Sequence, residues 1–211
     1  MRTPYTFNQS YPVKHLGNIC VAHNVFTEEQ MEQIDYLEEL QEFQEASIGP
    51  KKTNTIPDEI SQRIDEKSRR SKVSWLYPDQ NSIHIFNRFT EILQQVNLDH
   101  FRRDIQGFDS MQYTIYNEGD HYDWHWDYEG LSSKYIRKIS ATVLVSAPED
   151  YEGGELEIMS IGSPNEDKIY RAKPNRGDVV FFASWMPHRV VPVTKGTRKS
   201  LVVWVMGEDR G

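Results

Sequence analysis

The sequence predicts a mainly β fold with α-helical decoration, in which N-terminal helices flank a double-stranded β-helix (jelly roll, cupin-like) core. Two patterns predict this fold. Apolar residues repeat at helical spacing in the first half of the chain, and from Met111 onward they form short β-branched and aromatic runs separated by Gly, Pro, Asn and Asp. Helices followed by many short strands favour an antiparallel β sandwich with helices packed outside it.

The length of 211 residues suits one domain with a sizeable core. We therefore predict a single domain over 1–211, with an N-terminal helical and lid portion at 1–107 and the jelly-roll core at 108–206. The oligomeric state is left open by the sequence.

Two amphipathic helices are predicted in the N-terminal portion. Thr27 is the expected N-cap of the first helix, and Gln30 occupies the capping-box position. The apolar residues of this helix recur at every third position: Met31, Ile34, Leu37 and Leu40. The second helix is expected from about Ser82 to Asn97. Its apolar face comprises Ile83, Phe86, Phe89, Ile92, Leu93 and Val96.

The segment between the two helices, Ser47 to Ser71, is rich in Gly, Pro, Lys, Asp and Arg. This composition predicts a loop with one helical turn near Ser61 to Lys67. Because long loops in compact domains often cover functional sites, we expect this segment to act as a lid.

Composition and charge disfavour several functional classes. The formal net charge of −8 argues against a protein that binds nucleic acid by neutralising phosphates. No apolar run is long enough to cross a bilayer, and the first ten residues lack the apolar segment of a signal peptide. Cys20 is the only cysteine, which fits a reducing compartment. We expect a cytoplasmic protein with no nucleic-acid or membrane partner.

His125 and Asp127 form a candidate metal-binding pair. In an extended strand, residues i and i+2 point to the same side, so both can bind one ion while Trp126 points away. His188, far along the chain, is the candidate third ligand. Two imidazoles and one carboxylate hold ferrous iron on one face and leave the other coordination positions open. The alternatives are a surface turn and an ordinary strand-end histidine, or a zinc pair of His121 with His125.

Arg198 is the candidate anchor for a carboxylate. Residues 194–196 are predicted to form the three-residue loop of a β-hairpin, which places Pro192 opposite Arg198. His188 and Arg198 would then share one face, about 13 Å apart along the strand. A small dicarboxylate fits that gap, with one end on the metal and the other on the guanidinium fork. Ser200 lies on the same face and donates a second hydrogen bond. The alternative for Arg198 is a surface cation on an exposed hairpin.

Six blocks of sequence follow one another between Phe108 and Met206. They are Gln112–Gly119, Tyr122–Asp127, Arg137–Val145, Tyr151–Leu156, Asn175–Phe182, and His188 with Arg198. Together they resemble the catalytic domain of the prolyl 4-hydroxylase-like (PKHD-type) branch of the Fe(II)/2-oxoglutarate-dependent oxygenases. The resemblance implies Fe(II), the co-substrate 2-oxoglutarate and O2. It also implies decarboxylation of 2-oxoglutarate to succinate and CO2, coupled to hydroxylation of an aliphatic carbon.

The resemblance also implies roles for aromatic residues. The family uses a tyrosine from this part of the sheet to contact 2-oxoglutarate, and the candidates are Tyr113, Tyr116 and Tyr122. Core packing is the alternative for each of them. Core packing is the default for Trp124 and Trp185, and contact with the substrate is the alternative.

Three functions follow from these residues. The leading one is hydroxylation of a protein or peptide side chain, with prolyl as the first guess. The second is hydroxylation of a free amino acid or another small molecule. The third is a metal-binding jelly-roll module without catalytic activity. The carboxylate ligand Asp127 favours hydroxylation over halogenation, and the complete ligand set with Arg198 disfavours the module.

Overall fold

The structure is a computed structural model that describes residues 18–47, 65–108, 110–128, 135–160 and 168–208. Strands dominate these residues, and two α-helices precede most of them along the chain. The predicted mainly β fold with N-terminal helices is confirmed. The predicted boundary at residue 107 stays a prediction. Neither helix is long and apolar enough to span a bilayer.

Two antiparallel sheets form the core. In spatial order, the larger sheet contains β1 (Ile19–Ala22), β11 (Val179–Ala183), β7 (Tyr135–Leu144), β14 (Arg198–Glu208), β5 (Met111–Tyr116), β4 (Lys72–Leu76) and β2 (Gln44–Glu45). The smaller sheet contains β10 (Lys168–Arg171), β9 (Leu156–Ser160), β12 (His188–Val190), β6 (His121–His125) and β3 (Arg69–Arg70). A two-stranded ribbon joins β13 (Val193–Gly196) to β8 (Tyr151–Gly153).

The larger sheet has two buried faces because its strands alternate. One face packs against the helices and includes Tyr113, Val143 and Val203. The opposite face packs against the smaller sheet, and its buried cluster joins Phe182 of the larger sheet to Ile158 of the smaller one. A side chain between the two sheets therefore has one sheet on either side.

The first helix, α1 (Glu28–Glu39), begins as predicted. The amide of Gln30 donates to the Thr27 hydroxyl at 3.3 Å, and the Gln30 side chain accepts from the Thr27 amide at 3.0 Å. Leu40 is 53% exposed, although its spacing placed it on the buried face. The helix ends at Glu39, and Leu40 is its C-cap, so the apolar repeat outlasts the helix by one residue.

The second helix, α2 (Ile83–Val96), is followed by a π-helical turn at Asn97–Phe101. Its buried residues include four of those predicted, and Ile92 packs partly buried beside them. Ile83 is 43% exposed, and Ile85 is buried instead. The first turn is thus rotated relative to the predicted face.

The predicted lid is described only at its two ends, because residues 48–64 lie outside the described residues. At its C-terminal end, Glu66–Ser68 form a turn and Arg69–Arg70 form β3. Arg69 pairs with Tyr122 and Arg70 with His121. The prediction of a loop as far as Ser71 was therefore wrong at β3, which extends the sheet that carries His125.

The predicted hairpin between the strands of His188 and Arg198 is wrong. β13 pairs with β8, whereas β14 pairs with β5 and β7. Gly196 has a positive φ of 73°, and the turn at this residue directs the chain from the ribbon into the larger sheet. His188 and Arg198 consequently lie in different sheets.

Candidate metal centre

The structure brings His125, Asp127 and His188 together, as the sequence predicts. His125 ends β6 and is the register partner of His188, the first residue of β12. Nε2 of His125 lies 3.8 Å from Oδ1 of Asp127, and Nε2 of His188 lies 3.4 Å from Oδ2. One ligand atom from each residue lies within 4.8 Å of the others. Among the described residues this is the one cluster able to hold a metal ion.

Backbone contacts fix both imidazoles. Nδ1 of His125 lies 2.7 Å from the carbonyl oxygen of Asp123, and Nδ1 of His188 lies 2.9 Å from that of Met186. A carbonyl only accepts, so each Nδ1 carries the proton and donates. Each Nε2 is then unprotonated and faces the cluster, which is the tautomer that binds a metal.

The Asp127 carboxylate is oriented from the larger sheet. Ser140 of β7 donates its hydroxyl hydrogen to Oδ2 at 2.7 Å, and the Ser140 and Ser184 hydroxyl oxygens lie 3.0 Å apart. The Asp127 amide donates to the carbonyl of Ser184 at 2.9 Å. Ser140 was not among the predicted site residues, although it stands in the block Arg137–Val145 and alternates in β7 with apolar residues of the opposite face.

Charge and burial keep Asp127 and His125 in the protonation states that a cation requires. Burial opposes ionisation of Asp127, but the adjacent His188 and the hydrogen bond from Ser140 hold the pKa of this carboxyl well below its usual value. Burial, assisted by His188, lowers the pKa of His125 to about 3. At neutral pH the site therefore offers one carboxylate and a neutral His125.

A bulge in β6 places Tyr122 beside His125. The register shifts between the pairs His188 with His125 and Val190 with Tyr122, so residues three apart face the same side. The Tyr122 and His125 rings stack with centroids 3.5 Å apart. Burial raises the pKa of Tyr122 to about 12, so its hydroxyl stays protonated and able to donate.

Arg198 is buried on the inner face of the larger sheet. Its Nη1 donates to the Ser200 hydroxyl at 3.1 Å, and its guanidinium carbon lies 5.6 Å from the centre of the Tyr116 ring. No carboxylate among the described residues pairs with it. A Cβ on Gly154 would lie 3.0 Å from Cδ of Arg198, so this glycine makes room for the arginine stem. A buried guanidinium of this kind is suited to an anionic ligand.

The three candidate tyrosines separate into two groups. Tyr113 faces the helices, where its hydroxyl donates to Oε2 of Glu38 at 2.5 Å and its ring packs on Phe43. The interpretation of Tyr113 as a 2-oxoglutarate contact was therefore wrong. Tyr116 and Tyr122 both belong to or pack against the cluster between the sheets.

The remaining candidates lie around the centre. Trp185 is half-buried and packs against the cluster between the sheets. Trp124 points to the outer face of the smaller sheet, where the Arg189 guanidinium lies 4.8 Å from its ring centre. His121 faces the backbone carbonyls of Lys67 and Gly119 at 3.3 and 3.4 Å, away from the cluster. A zinc pair of His121 with His125 is therefore not supported.

Sequence comparison connects this geometry to known proteins. Residues 111–206 match the model of the 2OG-Fe(II) oxygenase superfamily. The chain is 39% identical over 97 residues to a PKHD-type hydroxylase of Gloeothece citriformis. The aligned residues cover 46% of this chain and 42% of that protein. A PKHD-type hydroxylase of Pseudomonas fluorescens is 35% identical over 96 residues, or 43% of this chain and 40% of that protein. The chain thus spans about two fifths of the length of these relatives.

Solved structures share the fold. A prolyl-4-hydroxylase of Pseudomonas putida superposes with a TM-score of 0.66 at 17% identity, covering 92% of this chain and 94% of that chain. A Trichoplax adhaerens prolyl hydroxylase, in complex with a peptide fragment of the hypoxia inducible factor oxygen degradation domain, gives 0.65 at 19% identity, with 90% and 83% coverage. These likenesses confirm the jelly-roll fold.

Proposed function

We propose that the chain, in which residues 111–206 form a domain of the 2OG-Fe(II) oxygenase superfamily, is an Fe(II)- and 2-oxoglutarate-dependent dioxygenase. Its proposed reaction is hydroxylation of an aliphatic C–H bond in a protein or peptide side chain, with prolyl as the first candidate. One observation carries the proposal: a complete two-histidine, one-carboxylate cluster and a buried arginine without a described carboxylate partner border the same interior.

Each residue has a proposed role. The Nε2 atoms of His125 and His188 and the carboxylate of Asp127 hold Fe(II), and Ser140 keeps that carboxylate oriented. Arg198 binds the far carboxylate of 2-oxoglutarate, because the guanidinium fork matches a carboxylate in two hydrogen bonds.

Other side chains provide the surroundings for this chemistry. Ser200 adds a hydroxyl beside Arg198, and Tyr116 and Tyr122 line the space between anchor and metal. Bound iron supplies the activation of O2 that couples decarboxylation of 2-oxoglutarate to hydroxylation. The rings of Tyr122 and Phe182 pack on the imidazoles of His125 and His188 and cover one side of each.

A peptide substrate is supported by the fold. The Trichoplax adhaerens structure of the same fold is a complex with a peptide fragment. Trp185, half-buried beside the cluster, is a candidate contact for the substrate, whereas Trp124 lies on the outer face. The single cysteine, Cys20, supports a cytoplasmic location.

The test is production of succinate from 2-oxoglutarate by the purified protein with Fe(II). We expect turnover that requires iron and is accelerated by proline-containing peptides more than by free amino acids. The matched control is His188→Ala, which should show no turnover under the same conditions. Absence of iron-dependent succinate formation, with every peptide and amino acid supplied, would contradict the proposal.

A further inference from the structure

Arg69 is a second buried arginine between the sheets, distinct from the proposed 2-oxoglutarate anchor. It is 7% exposed. Its guanidinium carbon lies 4.6 Å from the centre of the Tyr122 ring, and the same ring stacks on His125 at 3.5 Å. One aromatic ring therefore links Arg69 to a proposed iron ligand.

Arg69 uses two of its five N–H donors in hydrogen bonds to other described residues. Nε donates to the Ser71 hydroxyl at 3.0 Å, and Nη2 donates to Oε1 of Gln112 at 2.9 Å. A guanidinium carries five N–H donors, and both acceptors here are neutral. No carboxylate among the described residues pairs with Arg69. Because a buried cation is costly without an anionic partner, the remaining donors favour binding of an anion.

The indole N–H of Trp204 is a second donor on the inner face of the larger sheet. Gln112 is the register partner of Trp75, and the Trp75 ring lies 5.9 Å from the ring of Trp204. The indole Nε1 of Trp204 is buried and has no acceptor in the part of the chain that the structure describes. This side of the interior thus presents N–H donors and apolar rings, which suits a ligand that carries acceptor oxygens on an aliphatic body.

We infer that Arg69 binds a carboxylate of the primary substrate. The substrate would then carry a negative charge close to the carbon atom that is hydroxylated. The inference rests on the proposed function, in which Arg198 already holds 2-oxoglutarate. Arg69 is therefore available to the second reactant. The carboxylate of the substrate has two possible sources, the α-carboxylate of a free amino acid and an acidic side chain within a peptide.

The direct test uses the guanidinium Nε–H resonances of the protein loaded with Zn(II), a diamagnetic ion that does not support turnover. Addition of 2-oxoglutarate should shift the Arg198 resonance, and later addition of propionate should shift that of Arg69. Propionamide has the same shape without the charge and should shift neither. Arg69→Gln identifies the resonance by its loss. Arg70→Gln is the matched control on the same strand, because Arg70 pairs with Asp120 at 2.5 Å.

The two sources are separated by calorimetry on the same loaded protein. L-Proline is compared with L-prolinamide, and a capped Ala-Pro-Asp peptide amide with its Asn analogue. Tighter binding of L-proline than of L-prolinamide would identify a free amino acid as the substrate. Tighter binding of the Asp peptide than of its Asn analogue would identify an acidic peptide. Arg69→Gln should lower affinity for the preferred acid by at least about 30-fold, whereas Arg70→Gln should retain it.

Two outcomes would overturn the inference. One is an Arg69 resonance that does not shift when propionate is added, and the other is equal affinity for acid and amide in both pairs. Failure of the proposed function looks different, because the Arg198 resonance would then ignore 2-oxoglutarate. The two failures are therefore distinguishable in one series of spectra.

Discussion

Ser140 donates its hydroxyl hydrogen to Oδ2 of Asp127 at 2.7 Å, and this bond reaches from the larger sheet to the loop that follows β6. The other neighbours of the carboxylate are the two imidazoles. The orientation of the proposed anionic iron ligand therefore depends on a residue thirteen positions away in sequence.

Ser140→Ala should weaken binding of Fe(II) by about 10- to 100-fold, the usual effect of removing a hydrogen bond to a metal ligand. The carboxylate remains but loses its fixed orientation. Metal titration under anaerobic conditions measures the change. Ser74→Ala is the control, because its hydroxyl bonds Gln41 on the helix side of the same sheet. Equal iron affinity in wild type and Ser140→Ala would show that this hydrogen bond does not position the ligand.

Single alanine substitutions of His125, Asp127 and His188 should each abolish succinate formation and leave the fold intact. Each change removes one of three ligands, so the loss of metal affinity should exceed that of Ser140→Ala. His121→Ala is the matched control, since His121 lies on β6 but faces backbone carbonyls outside the cluster. Near wild-type turnover at saturating iron in any one variant would remove that residue from the ligand set.

Arg198→Ala should weaken binding of 2-oxoglutarate by about 2 to 5 kcal/mol, the range for truncating one partner of a buried charge pair. Arg198→Lys should recover part of the affinity, because a single charged amine replaces the planar fork. Equilibrium dialysis with labelled 2-oxoglutarate gives the dissociation constants. Lys199→Gln is the control from the opposite face, where Lys199 pairs with Glu38 at 2.9 Å. Unchanged affinity in Arg198→Ala would assign the anchor to another residue.

Gly154→Ala should reduce affinity for 2-oxoglutarate more than affinity for iron. Gly154 has a φ of 67°, and an added Cβ would lie 3.0 Å from both the Arg198 stem and Val193. Placing alanine in this left-handed backbone conformation costs about 1 to 2 kcal/mol of stability by itself. Paired titrations with metal and 2-oxoglutarate separate the two effects. Gly107→Ala is the control, since nothing lies within 4 Å of a Cβ there. Parallel loss of both affinities would indicate general unfolding.

The metal-free protein should lose stability in mild acid because of His125. Burial lowers the pKa of His125 to about 3, whereas a histidine in the unfolded chain titrates near 6.5. The unfolded state therefore takes up the proton first as the pH falls. The free energy of unfolding should be intact above about pH 6.5 and decrease continuously toward pH 3.

Urea unfolding in the presence of a chelator measures this dependence. His125→Asn lacks the titrating group, so its unfolding free energy should depend less on pH between about 6.5 and 3. The two proteins should be compared first at pH 8, where the histidine is neutral in both states. The same acid dependence in both proteins would show that His125 is not responsible.

Local patterns in the sequence predicted local features well. The capping box of α1 and the same-side placement of His125 and Asp127 depend on residues two or three apart, and both agree with the structure. Local spacing does not select the distant ligand His188, and the resemblance supported this candidate. Alternation also contained a signal that separates Tyr113 from Tyr116, because an odd spacing along a strand sends the two to opposite faces.

Features that depend on distant pairing were not predictable in the same way. The run after His188 has the composition of a hairpin, but the choice of β8 as partner for β13 depends on a strand some forty residues earlier. The bulge that aligns Tyr122 with His125 breaks the period of two. Arg69 lies in a segment whose polar composition predicted a loop, and only its pairing with β6 turns it inward.

The imidazoles of the candidate centre belong to the smaller sheet, and the carboxylate is hydrogen-bonded to the larger one. A cation coordinated by all three side chains therefore joins β6 to β12, and the hydrogen bond from Ser140 to its carboxylate ligand tethers this site to the larger sheet. The binding energy of the metal opposes separation of these strands, in addition to its role in the proposed reaction. We expect iron depletion to shorten the lifetime of the folded chain as well as to stop the proposed turnover.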